Sequence, residues 1–188
     1  MENIQDFKEM WNTLNERLAR VEDENRKMAR EIRYGKHKTA QEKLIRKYRG
    51  FIIVEAVMII AVTLFITNNP FVNEKYRLLT LLYWVGFFLL EVIVDFYLMM
   101  KVSNMNLHTA TVTQISNYAK QCWKIHKIFI IIGLPLAIGA IILFALLMDA
   151  DKFVIAGMIC GGVIGVLIGL NQLREFIRCY KVLQSPEN

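Results

Sequence analysis

The chain of 188 residues is more apolar than an ordinary soluble domain, with 55% hydrophobic residues and a mean hydropathy of +0.33. Its 23 basic and 17 acidic residues give a net charge of +6. The basic residues flank long apolar runs instead of forming one patch, which argues against nucleic-acid binding. Charge is concentrated in the first 50 residues, so the composition predicts a charged helical segment followed by a membrane domain.

Residues 1–34, called the arm below, carry a heptad repeat. Apolar residues and one asparagine recur at alternating spacings of three and four, which are the a and d positions of a coiled coil. These positions hold Ile4, Phe7, Trp11, Leu14, Leu18, Val21, Asn25, Met28 and Ile32. The pattern predicts a cytoplasmic amphipathic helix of the coiled-coil type.

The arm has three alternative roles. Self-association is favoured by Asn25, because a buried asparagine at an a position sets the register of parallel dimers, and by Arg17, which would face Glu22 of a parallel partner. Docking on another protein is favoured equally, because Phe7 and Trp11 are spaced as anchors for a groove. A helix lying on the lipid surface ranks third, because the charges of the arm nearly balance.

The start of the arm, residues 4–18 (IQDFKEMWNTLNERL), resembles a group of small Bacteroidetes membrane proteins. Members of that group begin with a helix of the pattern I-x-[DE]-[LF]-K-x-x-W, followed by a basic stretch and several transmembrane helices. They are often encoded beside extracytoplasmic-function sigma factors. The resemblance implies a membrane-bound regulator, such as an anti-sigma factor, with a sigma factor as its cytosolic partner.

A basic segment at residues 35–50 leads into the membrane domain. Gly35 ends the heptad pattern, and a second helix is predicted from Leu44, Ile45 and Tyr48. Four apolar runs follow at 51–67, 78–100, 128–148 and 153–173, each about long enough to cross a hydrocarbon core of ~30 Å as a helix. The sequence therefore predicts an all-α fold, a four-helix transmembrane bundle over residues 51–173.

Basic residues precede the first run, lie between the second and third runs, and follow the fourth. The positive-inside rule then places both termini in the cytoplasm, with residues 174–188 as a cytoplasmic tail. We expect a multi-pass protein of the bacterial inner membrane. In the cytoplasmic connection, Thr111 and Gln114 have the spacing of a capping box, so the helix of the third run is expected to begin there, and His126 is expected to be an exposed helix residue.

Three carboxylates interrupt the apolar runs: Glu55, Glu91 and Asp95. Ionised carboxylates are costly in hydrocarbon, so they should face the bundle interior or meet a partner. One interpretation is a structural or local gating role, with either ion pairs to basic residues such as Lys101, Lys124 or Arg174 or access of water from the cytoplasm. The other is a cation or proton site built from two helices. The first is favoured, because no basic or polar residue deep in the spans continues a relay outward.

The fourth run contains a glycine at every fourth position, and the third run offers small residues to match. The glycines are Gly157, Gly161, Gly165 and Gly169, and the matching residues are Gly133 and Ala137. Such ladders let helices approach closely in lipid. We expect close packing of the third and fourth spans within one chain, with an oligomer interface or a pore lining as the alternative.

The chain has no catalytic motif and no nucleophile paired with a base. Its three cysteines have no metal-binding spacing, and no metal, cofactor or small-molecule substrate is expected. The sequence favours a non-enzymatic membrane protein with a regulatory or interaction role, whose arm dimerises or binds a cytosolic protein. The alternatives are a small transporter or channel subunit that uses the carboxylates, and a structural homo-oligomer.

Overall fold

The computed structural model describes residues 2–68, 74–107, 109–147 and 152–185, and these ranges contain helices and short connections without a strand. The four helices are α1 (Glu2–Asn68), α2 (Glu74–Ser103), α3 (Val112–Leu147) and α4 (Lys152–Gln184). Each is long and apolar enough to cross a membrane. The predicted all-α bundle of four transmembrane helices is thereby confirmed, and the chain is a multi-pass membrane protein. Residue 148, which ends the third predicted run, lies outside the described residues.

One helix is present where the sequence predicts two. α1 continues through Gly35 and Gly50 into the first span. A glycine costs about 1 kcal/mol relative to alanine inside a helix, but unlike proline it keeps its backbone hydrogen bond. The chain divides into two compact units, residues 1–39 and 40–188.

The ends of α3 and α4 extend beyond their apolar runs. The Gln114 backbone N–H donates to the Thr111 hydroxyl (3.3 Å), and the Thr111 N–H donates to the Gln114 side chain (2.9 Å), which confirms the capping box. α4 continues to Gln184, so most of the predicted tail is helical. The Ser116 hydroxyl donates to the backbone oxygen of Gln184 at 3.2 Å and joins the two extensions.

The densest packing within residues 40–188 lies at one end of the four helices, where these extensions meet. We call this region the packed end. Its buried residues come from all four helices and from the α2–α3 connection: Ala40, Leu44, Tyr48, Leu98, Val102, Met105, Ile115, Ala119, Cys122, Phe176, Cys179, Tyr180 and Leu183. The Gln41 amide reinforces it by donating to the backbone oxygens of Val102 (2.8 Å) and Met105 (2.9 Å) beside the end of α2.

The apolar spans are much less buried by one another. Leu90, Ile131 and Leu167 are each more than 60% exposed, and many other aliphatic side chains of the spans are similarly open. An exposed apolar surface of this extent is the surface that a bilayer covers.

The glycine ladder does not pack as predicted. A Cβ atom built at Gly157, Gly161, Gly165 or Gly169 would meet no described atom within 4 Å, although α3 and α4 are in contact elsewhere. A Cβ at Gly133 would instead lie 3.6 Å from Oε1 of Glu91. Gly133 on α3 therefore lies beside a carboxylate of α2, and the expected close approach of α3 and α4 along the ladder is corrected.

Two leucines of α2, one in the packed end and one in the middle of the helix, predict different costs of truncation to alanine. Leu98 is 0% exposed and Leu90 is 61% exposed. Leu98→Ala should lower the free energy of unfolding by about 2–5 kcal/mol, because it leaves a cavity in the packed end. Leu90→Ala, the matched control, should change it far less. Equilibrium unfolding in mixed micelles would measure both, and equal losses would contradict this account.

Candidate functional site

The three intramembrane carboxylates come together in the structure, as the sequence suggests. We call Glu55, Glu91 and Asp95 the acidic cluster. Glu55 on α1 interacts electrostatically with Asp95 and with Glu91 on α2, and these two interact with each other. Glu55 is the most enclosed of the three, with 7% of its surface exposed, whereas Glu91 and Asp95 are half-buried. Two helices therefore build one acidic site.

The expected ion pairs with basic residues are absent from the described part of the chain. None of Lys101, Lys124 and Arg174 lies within salt-bridge distance of the acidic cluster. Lys101 lies instead over the rings of Tyr97 and Tyr118, at 5.8 and 5.4 Å from their centroids. The expected ion pairs are therefore corrected, whereas the structural or gating role of the carboxylates stays a prediction.

An aromatic and hydroxyl cluster within the packed end interacts with the acidic cluster through Asp95. The Tyr48 hydroxyl is 2.9 Å from the Tyr180 hydroxyl and 3.2 Å from Nδ1 of His126. Phe176 packs against His126 and Tyr48, with ring centroids 4.7 and 5.1 Å away. Asp95 interacts electrostatically with both tyrosines. Side chains of α1, α3 and α4 thus connect to the acidic residue of α2.

Burial keeps the titratable groups of this cluster neutral. Burial raises the pKa of Tyr48 and of Tyr180 above the ordinary value, and it lowers the pKa of His126 to about 4. His126 is therefore a neutral imidazole at pH 7, and its Nδ1 can donate to or accept from the Tyr48 hydroxyl depending on the tautomer. The expectation of an exposed histidine is wrong at this position.

Lys47 completes the connection between α1 and α4. Its ammonium group contacts the Glu175 carboxylate and donates to Oε1 of Gln172 at 2.6 Å. The hydrogen bond and charge of Lys47 lower the pKa of Glu175, which remains ionised at neutral pH. Lys47 is thus engaged with α4 through Glu175 and Gln172.

The arm residues lie where a partner could reach them. The seven apolar seam residues whose side chains are described are each 50–61% exposed, and Asn25 is exposed too. These seven are Phe7, Trp11, Leu14, Leu18, Val21, Met28 and Ile32. The side chain of Ile4 lies outside the described residues. The seam stays a prediction, because it needs a second helix to form.

The sequence pattern does not predict the aromatic cluster. By spacing alone, Tyr48 is one more apolar residue of a helix, and His126 is expected to be a solvent-exposed helix residue. A usable signal was present in α3 and α4. Trp123 with His126 and Phe176 with Tyr180 stand at helical spacing immediately beyond the apolar runs, and such a pattern places rings on one face.

Removal of the Tyr48 hydroxyl should destabilise the protein. Tyr48→Phe leaves the buried Tyr180 hydroxyl and Nδ1 of His126 without their shared partner, which should cost about 1–3 kcal/mol. Tyr97→Phe is the matched control, because Tyr97 is 52% exposed and should lose little. Unfolding in mixed micelles measures the difference, and equal stability of the two variants would refute the role of the hydroxyl.

His126 should make the folded state sensitive to acid. Its pKa is about 4 in the folded protein, against about 6.5 in an unfolded chain, so the unfolded state binds more protons between these values. The contribution of His126 to the free energy of unfolding is complete above about pH 6.5 and is lost as the pH falls toward about 4. Unfolding measured across this window should show a steeper loss for the wild type than for His126→Gln. Parallel profiles would exclude His126 as the cause.

Comparison with known proteins adds no family to these observations. No protein-family model matches the chain, and no curated protein or solved structure matches it.

Proposed function

We propose that the protein is a non-enzymatic, membrane-anchored interaction protein whose arm pairs with the arm of a second copy. The observation that carries this proposal is the exposed apolar stripe of the arm. Seven large apolar side chains between Phe7 and Ile32 are each at least half exposed on one helix. Exposure of such a continuous apolar stripe to water is unfavourable, and packing against a second helix with the same repeat would bury the stripe.

The residues at the heptad positions support a second copy of this chain as the partner that packs against the arm. In a parallel, in-register pair, Arg17 at g faces Glu22 at e of the partner, and Glu31 at g faces Lys36 at e. Both pairs are attractive, and the remaining g–e combinations contain no pair of like charges. Asn25 would meet its twin across the seam and set the register.

Anchoring in a membrane favours the same parallel arrangement. The arm precedes the first span within the single helix α1. Two copies with one topology therefore run from arm to membrane in the same chain direction. The basic residues beside the spans support a cytoplasmic location for the arm in a bacterial inner membrane.

A cytosolic partner is the second occupant to consider. Phe7 and Trp11 are bulky for a tight dimer seam but are suited to a groove on another protein, and the resemblance of the first turns points to a sigma factor. In that case the arm would bind as a single helix, and the d positions of two copies would not approach each other. Crosslinking between copies separates the two occupants.

Cysteines placed around the arm helix test the pairing. Leu14→Cys and Val21→Cys occupy d positions, and Glu16→Cys and Asp23→Cys occupy the outward f positions as matched controls. The background carries Cys160→Ser, because Cys160 is exposed whereas Cys122 and Cys179 are buried. In native membranes, a short bifunctional maleimide should join the d-position cysteines into dimers and leave the f-position variants as monomers.

A double substitution checks that the stripe causes the pairing. Trp11→Ala with Leu18→Ala should abolish the Val21→Cys crosslink, and Asn12→Ala with Glu16→Ala on the polar face should preserve it. Equal crosslinking at d and f positions would contradict a specific seam. A different result would be that no dimers form, while the wild type captures a cytosolic protein that the double substitution does not. That result would identify the cytosolic protein, and not a second copy, as the partner of the arm.

A further inference from the structure

We propose that Glu55 is a proton-binding site within the membrane, completed by Glu91 and Asp95. This inference is independent of the arm and of what the arm binds. The ligand is a single proton held on a carboxylate, and the surrounding acidic groups make its binding favourable.

Glu55 is more than nine-tenths buried, and its Oε2 atom has no hydrogen-bond partner among the described residues. A buried carboxylate oxygen without a donor carries a large desolvation cost. The charged groups that interact with Glu55 are Asp95 and Glu91, and both would repel an ionised Glu55. Binding of one proton removes the unpartnered charge and the repulsion together, so the geometry itself points to a positively charged ligand.

The groups facing the site supply no other cation. On α1, Tyr48 is hydrogen-bonded to Tyr180 of α4 and to His126 of α3, and all three are neutral at pH 7. On α2, the facing groups are the two other carboxylates. Lys47 is engaged by Glu175, and Lys101 lies over two tyrosine rings. Within the described residues, no ammonium or guanidinium group neutralises the cluster.

The arrangement suits a proton better than a metal ion. Mg²⁺ and Ca²⁺ require about six or more oxygen ligands at short, defined distances. The described residues contain no group of three or more acidic, histidine or cysteine side chains arranged to hold a metal ion. A proton requires only one oxygen, and the unpartnered Oε2 of Glu55 meets that requirement.

Labelling with a hydrophobic carbodiimide tests the proposal on the full-length protein in vesicles. The reagent adds to a protonated carboxyl group: its nitrogen takes the proton, the carboxylate oxygen bonds to its central carbon, and nothing leaves before rearrangement to a stable acylurea. Mass spectrometry of the digested protein then locates the adduct. We expect at least about tenfold more adduct on Glu55 than on Glu175 at about pH 7, and suppression of the Glu55 adduct as the pH rises.

Glu175 is the internal control, because it is exposed and its pKa is lowered by Lys47. Glu55→Gln should remove the adduct and so assign it. Asp95→Asn should reduce labelling of Glu55 several-fold, because it removes a negative neighbour. Labelling of Glu55 no stronger than that of Glu175 between about pH 9 and about pH 5 would overturn the proposal. Protection of Glu55 by Na⁺ at constant pH would also overturn it, by identifying a metal cation as the occupant.

Discussion

The four helices are held together by side chains that lie at and beyond the ends of the apolar runs. In hydrocarbon, two apolar helix faces gain little from contact, because lipid tails are as apolar as leucine. In water the same contact is strongly favourable, at about 25 cal/mol per Å² of buried apolar surface. This difference explains why Leu44, Ile115 and Leu183 are almost fully buried while Leu90 and Leu167 are open. The packed end is where burial from water can act.

The position of the acidic cluster follows from the packed end. Tyr48, on the α1 segment that packs there, is joined by hydrogen bonds to α3 and α4, and Glu55 lies two helical turns further along α1. Glu91 and Asp95 precede Leu98, which anchors α2 in the same core. Gly133 of α3 lies beside the Glu91 carboxylate. Packing at the ends of the apolar runs thereby brings together the carboxylates that lie within them.

The sequence predicts the parts of the structure that depend on local pattern. The four spans, the capping box at Thr111 and the meeting of the three carboxylates follow from run length, turn chemistry and the cost of charge in lipid. The buried hydrogen bonds of Tyr48 do not follow, because its partners are 78 and 132 residues away in the chain. The open glycine ladder does not follow either. Small residues permit a close approach, but contacts elsewhere decide whether a helix makes it.

The distribution of titratable groups along the spans favours occupancy of the site over passage through it. Proton pathways across membranes are lined by successive acidic, basic or histidine side chains. On one side of Glu55, the cluster continues to Asp95, Tyr48, Tyr180 and His126. On the other side, residues 56–67, 78–82 and 128–147 contain no acidic, basic or histidine residue, and neither do residues 153–173. A proton that reaches Glu55 from the packed end meets no further acidic, basic or histidine side chain in these residues. The site is therefore better arranged to bind a proton and release it to the same side than to transfer it across the membrane.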